Sequence, residues 1–340
     1  MNMKTNLGWF CLDAISDLFA ELKHMPSEET IDWLLAELEA ADWEPGLSRD
    51  AYVHIARAGL RRKNLPLASV AVELLARENP VTLRGLFYRV VSNGWFPSTD
   101  RKHYDRLGRI MKRLREGGVV PFSWIVDNLR STMKPSSWSG VEDFVDTVRD
   151  AYRKDFWANL PEYVHIFVEK DAIAGVLAPV TQEFDVPLSP LRGYASLTYA
   201  HEIAELWDKI DKPIFAYYLG DFDPSGFDLE RDLKEKLRAY GDSSFQWERL
   251  AVRAEDFNDF DLYALAPKTS DRRYQEFVKQ HGNKCAELDA LPATELRQRV
   301  RDAISRHVPQ DEWCRLQEVE RIEKESFENA LGKMVTKGVI

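Results

Sequence analysis

The sequence predicts a multidomain α/β protein. It has a helical N-terminal region, a winged helix-turn-helix, a Rossmann-like parallel sheet with helices on both faces, and a helical C-terminal tail. Three observations carry this. Two uninterrupted apolar runs of strand length, VHIFV (Val164–Val168) and IFAYYL (Ile214–Leu219), alternate with helical segments, as in a parallel sheet covered on both sides. Ahead of them a basic amphipathic helix is followed by a short apolar alternation, the order of a winged helix. Residues 1–45 carry apolar stripes at helical spacing.

The first helical pair rests on Trp9, Leu12, Ile15, Leu18 and Phe19, then Ile31, Leu34, Leu35 and Leu38, with a break at Pro26-Ser27. EPGLSRD (Glu44–Asp50) reads as a linker, after which helices resume through Arg61–Lys63 and again across Leu67–Arg77. Thr82 is the expected cap of a helix over Leu83–Ser92, and SNGWFPSTD (Ser92–Asp100) has loop composition. In HYDRLGRIMKRLREGG, Tyr104, Leu107, Ile110, Met111 and Leu114 share one face, and Gly117-Gly118 stop the helix. VVPFSWIVD (Val119–Asp127) then suits a short hairpin. Beyond Pro161, helices are expected at Ala172–Phe184, Leu197–Lys209 and Leu229–Tyr240, and Thr269–Lys333 reads as mostly helical and highly charged.

The 340 residues carry a net charge of −10. Residues 1–50 hold three basic and eleven acidic side chains, a net of −8, which leaves −2 for the other 290. Conversely, Arg101–Glu116 contains seven basic and two acidic residues, a local +5. Local charge, not the total, decides what a phosphate meets. Arg101, Lys102, Arg106, Arg109, Lys112 and Arg113 are therefore expected to bind double-stranded DNA through its backbone; the plain alternative is a solvated basic face. No window has the apolar run of a membrane span, and Asp13 and Asp17 interrupt any signal sequence, so a cytoplasmic, nucleoid-associated protein is expected, with no membrane partner. Cys11, Cys285 and Cys314 are odd in number and without C-x-x-C spacing, which indicates neither a disulfide framework nor a zinc site.

Chemistry in parallel α/β sheets gathers at the carboxyl ends of strands, and two acidic clusters fall there. Glu169 follows the first strand in VEKDA; Asp221 and Asp223 follow the second in LGDFDPSG. On extended backbone, carboxylates two residues apart point the same way, with Cα atoms about 6.5–7 Å apart. Such a pair suits hydrated Mg²⁺, a hard cation that keeps waters for phosphate to replace. Pro224 and Gly226 would stop the strand and let backbone approach a phosphate. The alternative is an Asp-rich turn whose carboxylates cap the next helix.

VHIFVEKDAIAGVL, LRGYASLTYAHEIAEL and YLGDFDPSGFDL resemble, in order and spacing, the Toprim domain of topoisomerases, bacterial primases and some nucleases. The D-x-D-P-x-G and VEK(D/E)A forms, with Gly193-Tyr194 between them, look most like the A subunit of topoisomerase VI and the related meiotic double-strand-break protein. The closest likeness is to small bacterial or phage stand-alone relatives. The resemblance spans roughly Val81–Ala293. Residues 1–65 and the last forty lie outside it; together with their charge and helical periodicity it divides the chain into 1–64 (acidic helical extension), 65–135 (winged helix), 136–160 (helical linker) and 161–340 (Toprim with C-terminal helices). It also implies Mg²⁺, with Mn²⁺ as a substitute, at Glu169, Asp221 and Asp223, with Glu169 acting as ligand or as acid/base.

In that family a tyrosine in an R-(D/E)-(I/L)-Y-Y helix attacks DNA. TLRGLFYRVV matches through Arg84, Phe87 and Tyr88, with Gly85 in place of the acid and Phe87 in place of the first tyrosine. Tyr88 would be the nucleophile and Arg84 its phosphate clamp. Without the resemblance, Tyr88 reads as one aromatic of the apolar face formed by Leu83, Leu86, Phe87 and Val90. PKTSDRRY and CAELDALP look shared with the small relatives, so that Lys268, Arg272 and Arg273 would meet DNA and Glu287 and Asp289 would add contacts around the metal; a helix cap and a charged loop are the alternative for both. A homodimer is implied, and strand passage would need a separate ATPase B-type subunit, since the chain has no G-x-x-x-x-G-K-(S/T) loop. Two other readings stay open: a hydrolytic Toprim nuclease using metal-activated water, with Tyr88 merely packing, and a non-catalytic DNA-binding module.

Overall fold

A computed structural model describes residues 27–126, 137–260 and 262–336, in two compact units that divide after Ile125. The stripe from Trp9 to Phe19, Cys11 and the end of the expected wing (127–135) lie outside the described residues.

The N-terminal unit is built on one helix. Helices α1 (Glu28–Ala40) and α2 (Arg49–Arg57) start at Ser27 and Ser48, whose side chains accept from Thr30 and Ala51 N–H. Both pack on α3 (Leu65–Glu78), in which all but Ala76 and Arg77 are buried. LPLASVAVELL is apolar on every side, and a helix of that kind has to be central. The EPGLSRD linker is tied down by buried Glu73, whose Oε2 accepts from Trp43 Nε1 at 3.0 Å and Gly46 N at 3.3 Å. These contacts cross residue 64, so the acidic extension and the following helices share one core. Helix α4 (Leu83–Ser92) is capped as expected by Thr82, which accepts from Gly85 N at 2.8 Å. Helix α5 (Arg101–Glu116) buries Leu107, Ile110, Met111 and Leu114 and ends at Gly117, before Gly118 at φ +72°.

The hairpin expected at Val119–Asp127 is not formed among the described residues. Phe122–Trp124 is a single 3₁₀ turn, and Ile125 instead makes a parallel bridge with Val81, with Val81 N donating to Trp124 O at 3.0 Å. Pro121 has no N–H to give a ladder, and the buried residues Val120 and Ile125 are claimed by the helical core. Apolar alternation records burial, not the identity of the pairing partner.

In the C-terminal unit, α6 (Val141–Ala151) precedes a four-stranded all-parallel sheet of β1 (Tyr163–Val168), β2 (Leu188–Pro190), β3 (Ile214–Leu219) and β4 (Phe245–Ala251), in the order β2-β1-β3-β4. The crossovers are α7 (Asp171–Glu183), α8 (Leu197–Asp208) and α9 (Pro224–Tyr240). Phe167, Ala216 and Tyr218 pack with Ile203, Trp207, Leu233 and Leu237 of α8 and α9. Tyr217, of opposite parity, donates to or accepts from His307 Nε2 at 2.6 Å just beyond α12 (Ala293–Ser305), which packs on α7. A short helix α10 (Asp256–Asp259) and α11 (Tyr274–His281) come between β4 and α12, and α13 (Gln310–Thr336) docks Trp313 on Phe156, ring centroids 4.6 Å apart. Among the described residues no helix is long and apolar enough to cross a membrane.

Candidate functional site

β1 and β3 end level, Val168 beside Leu219, so parallel pairing alone brings Glu169 next to Gly220 and Asp221. Glu169 N donates to Leu219 O at 2.9 Å, and Glu169 Oε2 accepts from Asp221 N at 2.8 Å. Asp221 Oδ1 accepts from Leu288 N at 2.7 Å. Asp223 is the N-cap of α9, its Oδ1 accepting from Gly226 N at 2.7 Å, so the capping alternative describes this residue well. Each carboxylate thus holds one backbone N–H with one oxygen and keeps the other. Gly226 is required by space: a Cβ there would lie 2.3 Å from Asp221 O and 3.2 Å from Glu169 Oε2.

Glu287 and Asp289 join the same cluster. Phe222 and Ala286 exchange backbone hydrogen bonds, as do Leu265 and Cys285, and this lays the 285–289 segment along the tip of β3. Lys170 then reaches three carboxylates: Asp221 at 3.0 Å, Glu287 at 3.1 Å and Asp289 at 3.1 Å. No local pattern marks Lys170, which follows Glu169 directly, because its partners lie up to 119 residues away along the chain. A cavity of about 220 Å³ opens beside the cluster, lined by Asp221, Asp223, Ser225, Lys268, Asp271 and Glu287 among others.

Burial and neighbouring charge together set the electrostatics. Burial, then the Asp221 carboxylate, pushes the Glu169 carboxyl up to about 7. Burial also raises Asp221, against the pull of Lys170. Burial opposes the charge on Lys170, but Asp289, Asp221 and Glu287 together overcome it and keep the ammonium charged. Among the described residues no three His, Cys, Asp or Glu side chains are close enough as they stand to hold a metal ion. The donor set is nevertheless all oxygen, and Glu169, Asp221, Glu287 and Asp289 gather four carboxyls around one ammonium, a set that suits a hard divalent cation.

The other predicted residues are spread over both units. Tyr88 on α4 is buried at 3% exposure, its ring 6.0 Å from that of Phe87, and the guanidinium of exposed Arg84 lies 5.7 Å from the Tyr88 ring. On α5, Arg101, Lys102, Arg109, Lys112 and Arg113 are exposed, whereas Arg106 is half-buried. Lys268 and Arg272 are exposed. Arg273 is instead committed internally, donating to Asp228 and Asp271 at 2.8 Å and to Ser225 Oγ at 2.9 Å at the start of α9. Arg249, which no motif marks, donates to Gly220 O at 3.0 Å and pairs with Glu230 at 2.6 Å, bracing the β3 tip. No protein-family model and no curated protein matches this chain.

Proposed function

We propose that this protein cleaves DNA strands in a divalent-cation-dependent reaction, with Mg²⁺, or Mn²⁺ in its place, held by Glu169, Asp221 and Asp223, and with Tyr88 as the attacking group. The observation that supports it is the meeting of Glu169 with Asp221, 52 residues apart, at the carboxyl ends of adjacent parallel strands beside an open cavity. When bound, the cation would neutralise phosphate charge and polarise the P–O bond. The chain's own groups supply the rest. Exposed Lys268, Arg272 and the basic residues of α5 bind backbone phosphates, Arg84 clamps the phosphate under attack, and Glu169, whose carboxyl is pushed up to about 7 in the metal-free protein, serves as metal ligand or as acid/base. The Tyr88 phenol gives up its proton as its oxygen bonds to phosphorus, forming a 5′-phosphotyrosyl link while the 3′ oxygen leaves and takes a proton. In this reading a tyrosine of one protomer works with the acids of its partner in a homodimer, and strand passage draws on a separate ATPase B-type subunit.

One observation favours a second reading, hydrolysis by water: the Tyr88 phenol is buried, so attack through it requires the N-terminal unit to open. Incubation with supercoiled plasmid and Mg²⁺, followed by denaturation, separates the two. Covalent protein–DNA ends that vanish in Tyr88→Phe support tyrosine, and free ends unchanged by Tyr88→Phe support water. Asp221→Ala abolishes cutting in either case while duplex binding persists. Binding without any cutting overturns both and leaves a non-catalytic DNA-binding module.

A further inference from the structure

The N-terminal unit holds a second charged site, which joins the basic face of α5 to a turn, residues 61–64, that no motif marks. A cavity of about 440 Å³ is lined by Arg61, Lys63 and Asn64, from the turn that leads into α3, and by Arg106, Arg109 and Arg113 of α5. Residues 106, 109 and 113 recur at helical spacing and so present one face. Arg106 is preset: Asn64 Oδ1 accepts from its Nε at 3.1 Å and its Nη2 at 2.8 Å. The side chains of Arg61, Lys63, Arg109 and Arg113 make no hydrogen bond or ion pair among the described residues. Two carboxylates of α5, Asp105 and Glu116, lie near Arg101 and Lys112, away from the cavity lining.

Five cations around one cavity with no acid in its lining repel each other, and an anion with several acceptor oxygens relieves that repulsion. Apolar lining is confined to Leu60 and Ile110, too little for a greasy ligand. We propose that this cavity is a phosphate-binding site that seats the backbone of duplex DNA, with Arg61 and Lys63 as its outer contacts and the Asn64-braced Arg106 at its centre. The identity of the phosphate's carrier rests on the DNA reading above; the phosphate chemistry does not.

The test is the salt dependence of binding to a labelled duplex, for the wild type and for Arg61→Gln/Lys63→Gln. Both residues are exposed, so the double variant keeps the fold, which a thermal melt checks. Each phosphate contact contributes about 0.9 to the log–log slope, so the slope becomes shallower by about 1.8. The charge-keeping variant Arg61→Lys/Lys63→Arg retains the wild-type slope. An unchanged slope in the Gln variant overturns the proposal. If the wild type binds no duplex, the DNA reading fails. Inorganic phosphate and pyrophosphate are then added to melts: stabilisation of the wild type but not of the Gln variant keeps the site as one for free phosphate, and no stabilisation overturns it.

Discussion

Glu169→Gln should make the metal-free protein more stable, and only at neutral and alkaline pH. The glutamine amide oxygen keeps the 2.8 Å acceptance from Asp221 N and removes the charge facing Asp221. The sign follows from proton linkage. A carboxyl raised from 4.5 to about 7 holds its proton more tightly folded than unfolded, so the wild type loses stability as pH rises between those values. Relative to the glutamine variant the penalty is nil below about pH 4.5 and complete above about pH 7, where a shift of that size corresponds to about 3 kcal/mol. With a discount for partial solvent access, about 2–3 kcal/mol, the variant melts roughly 4–12 °C higher at pH 8 for a unit of this size. His165, which burial drives down to about 3, adds a slope of the opposite sign between pH 3 and 6.5, but does so in both proteins and cancels in the difference. The assay is thermal melting by circular dichroism in EDTA from pH 4 to 8. A gap that is absent, or constant across that range, refutes the account of the acidic cluster. Adding Mg²⁺ should reverse the order, because a ligand of the native state stabilises the protein that binds it.

Lys170→Met should act the other way, since it leaves Asp221, Glu287 and Asp289 without their shared ammonium. Removing one member of a buried ion cluster costs about 3–5 kcal/mol, or roughly 6–20 °C in Tm at pH 8; an unshifted melt shows that the cluster is solvated. Gly226→Ala forces a methyl against Asp221 O and should cost about 1–3 kcal/mol in urea unfolding, together with weaker stabilisation by Mg²⁺ than in the wild type. Wild-type behaviour in both measurements would show that the α9 start can move away from the cluster.

Legibility in the sequence followed burial. VHIFV and IFAYYL were readable because β1 and β3 are the central strands, apolar on both faces. β2, three residues long, and β4, whose FQWERLA alternates with polar groups, sit at the sheet edges and carried no comparable signal. Helix α9 was expected from Leu229 but begins at Pro224, because Asp223 caps it one turn earlier than its apolar stripe suggests. Of the acids that the sequence singles out, Glu169 meets Asp221, Glu287 and Asp289 share Lys170 with Asp221, and Asp223 caps α9 beside them, while no motif marks Lys170.

By itself, then, the sequence determined what is local: helices with their caps and stops, the two central strands, and the acids at their carboxyl ends. Such features are written in residues within one or two turns of each other. Only the tertiary structure decided which charges meet. It drew Lys170 to three distant carboxylates, tied Arg273 to Asp228 and Asp271, buried Tyr88, and set Arg61 and Lys63 across a cavity from α5. Ion pairing and burial depend on separation in space, and folding makes neighbours of residues whose distance along the chain carries no trace of it.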